Sequence, residues 1–149
     1  MRAVIQRVSK ARVVVDDAVT GEIGAGLLVL LGVEQGDTPV DLKYTFEKTI
    51  GLRIFEDDDG KMNRSLIDVK GQLLVVSQFT LLGDVRKGRR PSFVHAADPK
   101  MADQMYNEFV SRGQEQGIDV QTGIFQADMD VELVNDGPVT ILIDSRKTF

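Results

Sequence analysis

The chain has 149 residues, 42% of them hydrophobic, with 18 Lys+Arg against 23 Asp+Glu and a formal charge of −5. It has no cysteine and a single histidine, His95, which excludes a disulfide framework, a thiolate nucleophile, a zinc finger and a histidine-rich metal site. Any chemistry must come from hydroxyls, carboxylates, backbone groups or the substrate itself.

In chain order, Val4, Gln6 and Val8, then Ala11, Val13 and Val15, alternate with polar neighbours, as in two half-buried strands. Gly21 and Gly24 mark turns, and the unbroken apolar run Leu27 to Val33 suits a strand buried on both faces. Thr38-Pro39-Val40-Asp41 starts a helix, with Thr38 as N-cap and Pro39 at the first helical position. Leu42, Phe46 and Ile50 then form one buried stripe, closed by Gly51. Leu52 to Glu56 reads as a short strand before a tight acidic turn at Asp58-Asp59-Gly60.

Gln72 to Leu82 reads as an apolar strand running into a basic loop. Asp98-Pro99 repeats the cap-plus-proline start for a second helix, with Ala102, Met105, Tyr106 and Phe109 on one face and a stop at Gly117. Val120 to Ile143 reads as two or three strands, with Asn135-Asp136-Gly137-Pro138 as the connection between the last two. With no repeat or linker, residues 1–149 form one domain of about seven strands and two helices. The expected fold is mixed α/β: a curled, barrel-like β-sheet, predominantly antiparallel, with the helices packed on one side.

The longest apolar run is too short to span a bilayer and the first residues lack a signal-peptide core, so the expectation is a cytoplasmic protein with no membrane partner. Charge is unevenly distributed. The first 15 residues carry Arg2, Arg7, Lys10 and Arg12 and no acid, and Arg86-Lys87-Gly88-Arg89-Arg90 packs four cations into five positions. Such runs are either solvated loops or local phosphate-binding edges on an acidic body.

Familiar motifs fail. Gly21-x-x-Gly24-x-Gly26 has the wrong glycine order for a dinucleotide loop and leads into a strand. There is no Gly-Lys-Ser/Thr loop, and no Gly-x-Ser-x-Gly elbow accompanies His95, which reads as a surface residue. Two other segments do not look like ordinary packing. Ser77-Gln78-Phe79-Thr80 puts polar side chains where the apolar strand should continue, and Asn135-x-Gly137-Pro138-x-Thr140 is either a plain turn or something more specific.

Together these two segments resemble the D-aminoacyl-tRNA deacylases. The likeness extends in order through Ile5-Gln6-Arg7-Val8, Gly24-Ala25-Gly26-Leu27-Leu28-Val29-Leu30-Leu31-Gly32, Lys61-Met62-Asn63, Arg90-Pro91-Ser92-Phe93 and Gln121-Thr122-Gly123. It implies an enzyme that hydrolyses the ester joining a D-amino acid, or mischarged glycine, to the terminal adenosine of tRNA, while sparing the L form. It also implies a homodimer in which Gly137-Pro138, joined by a cis peptide, reaches across the subunit interface into the partner's site. That turn would offer backbone carbonyls to the substrate's α-ammonium and leave no room for an L side chain.

By the same resemblance Ser77, Gln78, Phe79 and Thr80 form the catalytic wall, with main-chain N–H groups near Phe79 and Thr80 as oxyanion donors. Arg7 braces the Gly-Pro loop, or is a surface cation. Ala102 and Phe125 line the adenosine pocket, or pack in the core. The family more often has a small residue where Gln126 stands and an apolar one at Asp128. Arg86, Lys87, Arg89 and Arg90 would meet tRNA phosphates, and no metal or cofactor is implied. Either Thr80 is a nucleophile or a ribose hydroxyl of the substrate orients the water. The alternative is a non-catalytic tRNA-binding or editing-partner module using the same pocket.

Overall fold

The alternation at the N-terminus builds one long strand rather than two. In the computed structural model, which describes Met1–Phe149, β1 runs from Arg2 to Val15. Ser9 and Lys10 are both exposed between buried Val8 and Ala11, so the in–out rhythm slips there without ending the strand. The chain reverses through Asp16 and Asp17, at φ 48° and 62°, into β2, Ala18–Ile23. Two left-handed residues match the twist of such a hairpin. Gly21 lies inside β2 instead of at a turn: a Cβ there would sit 2.3 Å from the Thr122 carbonyl oxygen, a close backbone approach that only glycine allows.

β3, Gly26–Gly32, follows, then α1, Pro39–Gly51. The Asp41 carboxylate accepts from both the N–H and the hydroxyl of Thr38, closing the first turn as a cap should. The expected strand at Leu52 shrinks to β4, Phe55–Glu56, which pairs with β5, Met62–Arg64, across the Gly60 turn. β6 covers Gln72–Ser77 only. Residues 79–82 leave the sheet as a single 3₁₀ turn, where a continuous strand was expected. α2 spans Pro99–Glu115, its first N–H groups bound by Asp98, and the chain turns at Gly117 with φ 77°.

β7 is Val120–Thr122, and β8 is a 15-residue strand, Asp130–Asp144. Asn135–Pro138 is therefore no hairpin connection but an irregularity inside β8. Between the Gln6–Thr140 and Val8–Asn135 pairs, β1 advances by two residues and β8 by five, so the segment loops out of the ladder.

The sheet order is β2-β1-β3-β6-β7, with β8 on the other side of β1. The pairs of β6 with β3 and with β7 are parallel; each needs a crossover, which α1 and α2 supply. The close approach of β2 to β7 at Gly21 nearly closes the sheet on itself. β3 is buried on both faces. Leu27, Val29 and Leu31 join a core with Leu42, Phe46, Tyr106 and Phe109 of the helices. Leu28 faces the inside of the curl with Val8, Val13, Leu74 and Val76. Phe46 and Phe109 meet edge to face at 5.3 Å, worth about 0.5–1.5 kcal/mol beyond their burial. No helix is long and apolar enough to cross a membrane.

Candidate active site

A cleft of about 650 Å³ opens at the rim of the inner core. Its floor includes Val76, Met129 and Val131, which belong to or pack against that core. Ser77, Gln78, Phe79 and Thr80 form one wall; Ala96, Ala97, Pro99 and Ala102, at the start of α2, form another; Phe125 to Asp128 form a third. All four residues of the expected catalytic wall are thus brought together, along with Ala102 and Phe125. Ala102 and Phe125 each line the cleft and also pack against the helix-side core. The wall of Ala96, Ala97 and Pro99 was not singled out from the sequence, although the Asp98-Pro99 cap fixes where α2 begins.

The 3₁₀ turn brings polar side chains and backbone N–H groups to the cleft. Gln78 N–H donates to Leu31 O at the end of β3, Leu81 N–H to Gln78 O, and Gly83 N–H to Thr80 O. As the first residues of the turn, Phe79 and Thr80 have N–H groups with no acceptor inside it. The Thr80 hydroxyl is met by the Gln78 side-chain amide at 2.7 Å. Either orientation of that amide leaves Thr80 without a base, since a carboxamide has no useful proton affinity at neutral pH. The Phe79 ring is half exposed and packs edge-on against Phe93 at 5.1 Å.

His95 is exposed and does not line the cleft; its backbone carbonyl accepts from Gln35 N–H. The only ionisable side chain lining it is Asp128, delivered from a distant part of the sequence, and no hydrogen bond joins it to Thr80. No cluster of His, Asp and Glu is placed to hold a metal ion.

Gly137, Pro138 and Arg7 lie together but away from this cleft. The Gly137–Pro138 bond is cis, and Asp136, Gly137 and Pro138 are all exposed. Arg7 is not a surface cation: its side chain is buried, and it donates to Asp136 O at 3.1 Å and Ile54 O at 2.7 Å. The Asn135 side chain accepts from Val139 N–H at 3.0 Å, closing the loop from its other end.

The basic clusters separate. The N-terminal one is not a cationic edge, because Arg7 is buried and Arg12 pairs with Glu132 at 2.7 Å. In the second, Arg86 is clamped by Asp84, which receives its backbone N–H and its guanidinium at 2.6–3.0 Å. Those hydrogen bonds hold the Asp84 carboxyl well below the usual carboxylate range. Lys87, Arg89 and Arg90 are exposed and form no ion pair. The backbone bonds between Asp84 and Ser92 close this loop at its base.

A family model described as D-Tyr-tRNA(Tyr) deacylase matches residues 4–144. Curated relatives named D-aminoacyl-tRNA deacylase include those of Desulfitobacterium hafniense, 58% identical over 149 residues, and Kosmotoga olearia, 59% identical over 149 residues. In both cases all of each chain is covered. Among solved structures, a c-Myc DNA Unwinding Element Binding Protein is 39% identical with TM-score 0.91, covering 97% of this chain and 98% of that one. A probable eukaryotic D-amino acid tRNA deacylase has the same fold, with TM-score 0.79 at 18% identity over 95% of this chain and 97% of that one.

Proposed function

The chain belongs to the D-Tyr-tRNA(Tyr) deacylase family, and on that premise we propose that it hydrolyses the ester linking a D-amino acid to the terminal adenosine of tRNA. The observation that carries this reading is the pair of N–H groups, at Phe79 and Thr80, that the 3₁₀ turn leaves free at the cleft. An ester carbonyl seated there gains backbone donors as its oxygen becomes negative, and one such donor is worth ~10²–10³ in rate. Water adds to the carbonyl carbon, the ester C–O bond breaks, and the ribose hydroxyl is restored as the free amino acid leaves. With no base beside Thr80, the ribose hydroxyl next to the ester orients the water. The reaction so written draws on no metal or cofactor.

Stereochemical selection is assigned to Gly137-Pro138. The segment is exposed and outside the cleft of its own chain, so it serves the cleft of a second copy in a homodimer. The unpaired edge of β8, with exposed Val134 and Leu142 beside the loop, is the surface such a dimer would cover. Held by Arg7 and Asn135, the loop presents carbonyls to the α-ammonium and blocks the position an L side chain would take, so D-aminoacyl and glycyl esters pass. This is proofreading by exclusion, suited to the cytoplasm, where charged tRNA is used. Exposed and without ion pairs, Lys87, Arg89 and Arg90 would meet acceptor-stem phosphates in this reading.

A second reading is favoured by the scarcity of catalytic side chains: a non-catalytic module that holds mischarged tRNA for another enzyme. Incubating purified protein with D-tyrosyl-tRNA and L-tyrosyl-tRNA separates the two. Rapid ester loss from the D form alone supports hydrolysis, whereas binding without loss supports the module.

A further inference from the structure

We propose that Arg2 is a positioning residue for the reaction: its guanidinium fastens the far end of the 3₁₀ turn and so sets the direction of the Phe79 and Thr80 N–H groups. The inference rests on the proposed role of those two groups. The turn is held at two points. At its start, Gln78 N–H donates to Leu31 O at 2.8 Å. At its end, Arg2 Nη1 donates to Leu81 O at 3.1 Å, from a residue distant in sequence. A carbonyl at the end of a helical turn has no acceptor role inside it, and a guanidinium is a suitable partner.

Arg2 is itself constrained. In the β-ladder it stands between Gly32 and Asp144. Its Nε is buried, makes no hydrogen bond, and lies 3.8 Å from a carboxylate oxygen of Asp144, whose side chain is fully buried. A buried donor kept beside a carboxylate orients the planar guanidinium, leaving Nη1 to reach Leu81. The turn also sits tightly on the strand beside Arg2, since a Cβ at Gly32 would come within 2.7 Å of the Leu82 side chain and 3.0 Å of Gln78 O. A small tilt of the turn, pivoting on Gln78, would move both oxyanion donors while leaving the cleft walls in place.

Two variants and two readouts test this. Arg2→Met should lower kcat for D-tyrosyl-tRNA hydrolysis by about tenfold to a hundredfold with KM within about twofold, as misaimed transition-state donors require. Arg2→Lys, which restores a cationic donor, should recover part of the loss. Without substrate, amide hydrogen exchange in Arg2→Met should accelerate at Leu81 and Gly83, which close the turn, while β1 and β3 keep their protection. An unchanged kcat, a rise in KM alone, or exchange that accelerates across the whole chain overturns the proposal. If the unmodified protein shows no hydrolysis, the proposed reaction fails on its own, and the exchange contrast still decides whether Arg2 holds the turn.

Discussion

Arg7 Nε donates to Asp136 O at 3.1 Å and thereby ties the first strand to the loop that carries Gly137 and Pro138. The same guanidinium reaches Ile54 O at 2.7 Å, so one buried cation satisfies two backbone carbonyls from segments far apart in sequence. Its charge is met by the Asp136 carboxylate at 3.4 Å, which is half exposed. Arg7→Met should destabilise the fold by about 2–3 kcal/mol in urea unfolding, because it removes charged donors from the buried Ile54 carbonyl and the partly buried Asp136 carbonyl. Arg7→Lys should recover less than half of this, since an ammonium lacks the planar fork that spans both acceptors. Full recovery by lysine would mean that charge alone, and not the two-pronged geometry, matters.

Thr80 has an amide, and no base, as its hydroxyl partner. Thr80→Ala should therefore keep turnover of D-tyrosyl-tRNA within about tenfold of the parent, the backbone N–H being unaffected. Asp128→Asn should do the same. Loss of turnover by several orders of magnitude in single-turnover assays, with binding intact, would restore a threonine nucleophile in the first case or a carboxylate base in the second.

In the basic loop, Lys87, Arg89 and Arg90 are unpaired while Arg86 is bound to Asp84. Changing Lys87, Arg89 or Arg90 to Glu should weaken tRNA binding and make the slope of log K against log salt shallower by roughly 0.7–0.9 for each phosphate no longer neutralised. Arg86→Gln should leave the slope nearer its original value. Equal slopes for all variants, read by filter binding between low and moderate salt, would remove the loop from the tRNA interface.

Tyr106 is buried in the helix-side core, its ring 6.2 Å from that of Phe125, and donates to Val75 O at 2.8 Å. Burial pushes its hydroxyl up to about 12 from the ordinary 10. A raised folded-state pKa stabilises the fold fully below the unfolded value, and that contribution is lost as pH rises from about 10 through about 12. Unfolding free energy should fall across that window. Tyr106→Phe should cost about 1 kcal/mol at neutral pH and lose less stability than the parent across the window. An identical alkaline decline in the variant would assign the titration to other groups.

Both helices were legible because Thr38-Pro39 and Asp98-Pro99 give local start signals and the apolar spacing gives the buried stripe. The strands were less so, for physical reasons at particular residues. Exposed Ser9 and Lys10 break the alternation of β1 without breaking its ladder. Gly21 looks like a turn residue because the space for its side chain is taken by Thr122, an approach set by closure of the sheet. Asn135–Pro138 has the composition of a hairpin turn, yet β1 pairs on both sides of it and keeps β8 continuous. The polar break at Ser77–Thr80 did mark the cleft, because hydroxyls and amides interrupting an apolar run signal a change of environment. Asp128 and Arg2 carried no local signal of where they lie, since only the tertiary fold brings Asp128 to the cleft and Arg2 to Leu81 O.

In the proposed mechanism this cleft hydrolyses an ester by backbone donors and the substrate's own hydroxyl, without a catalytic side chain. The direct test is a single-turnover comparison of D-tyrosyl-tRNA with a D-tyrosyl-tRNA whose terminal ribose lacks the hydroxyl adjacent to the ester. The expected result is unchanged binding and a hydrolysis rate lower by about a hundredfold or more. Equal rates for the two substrates would contradict it and require a base supplied by the protein.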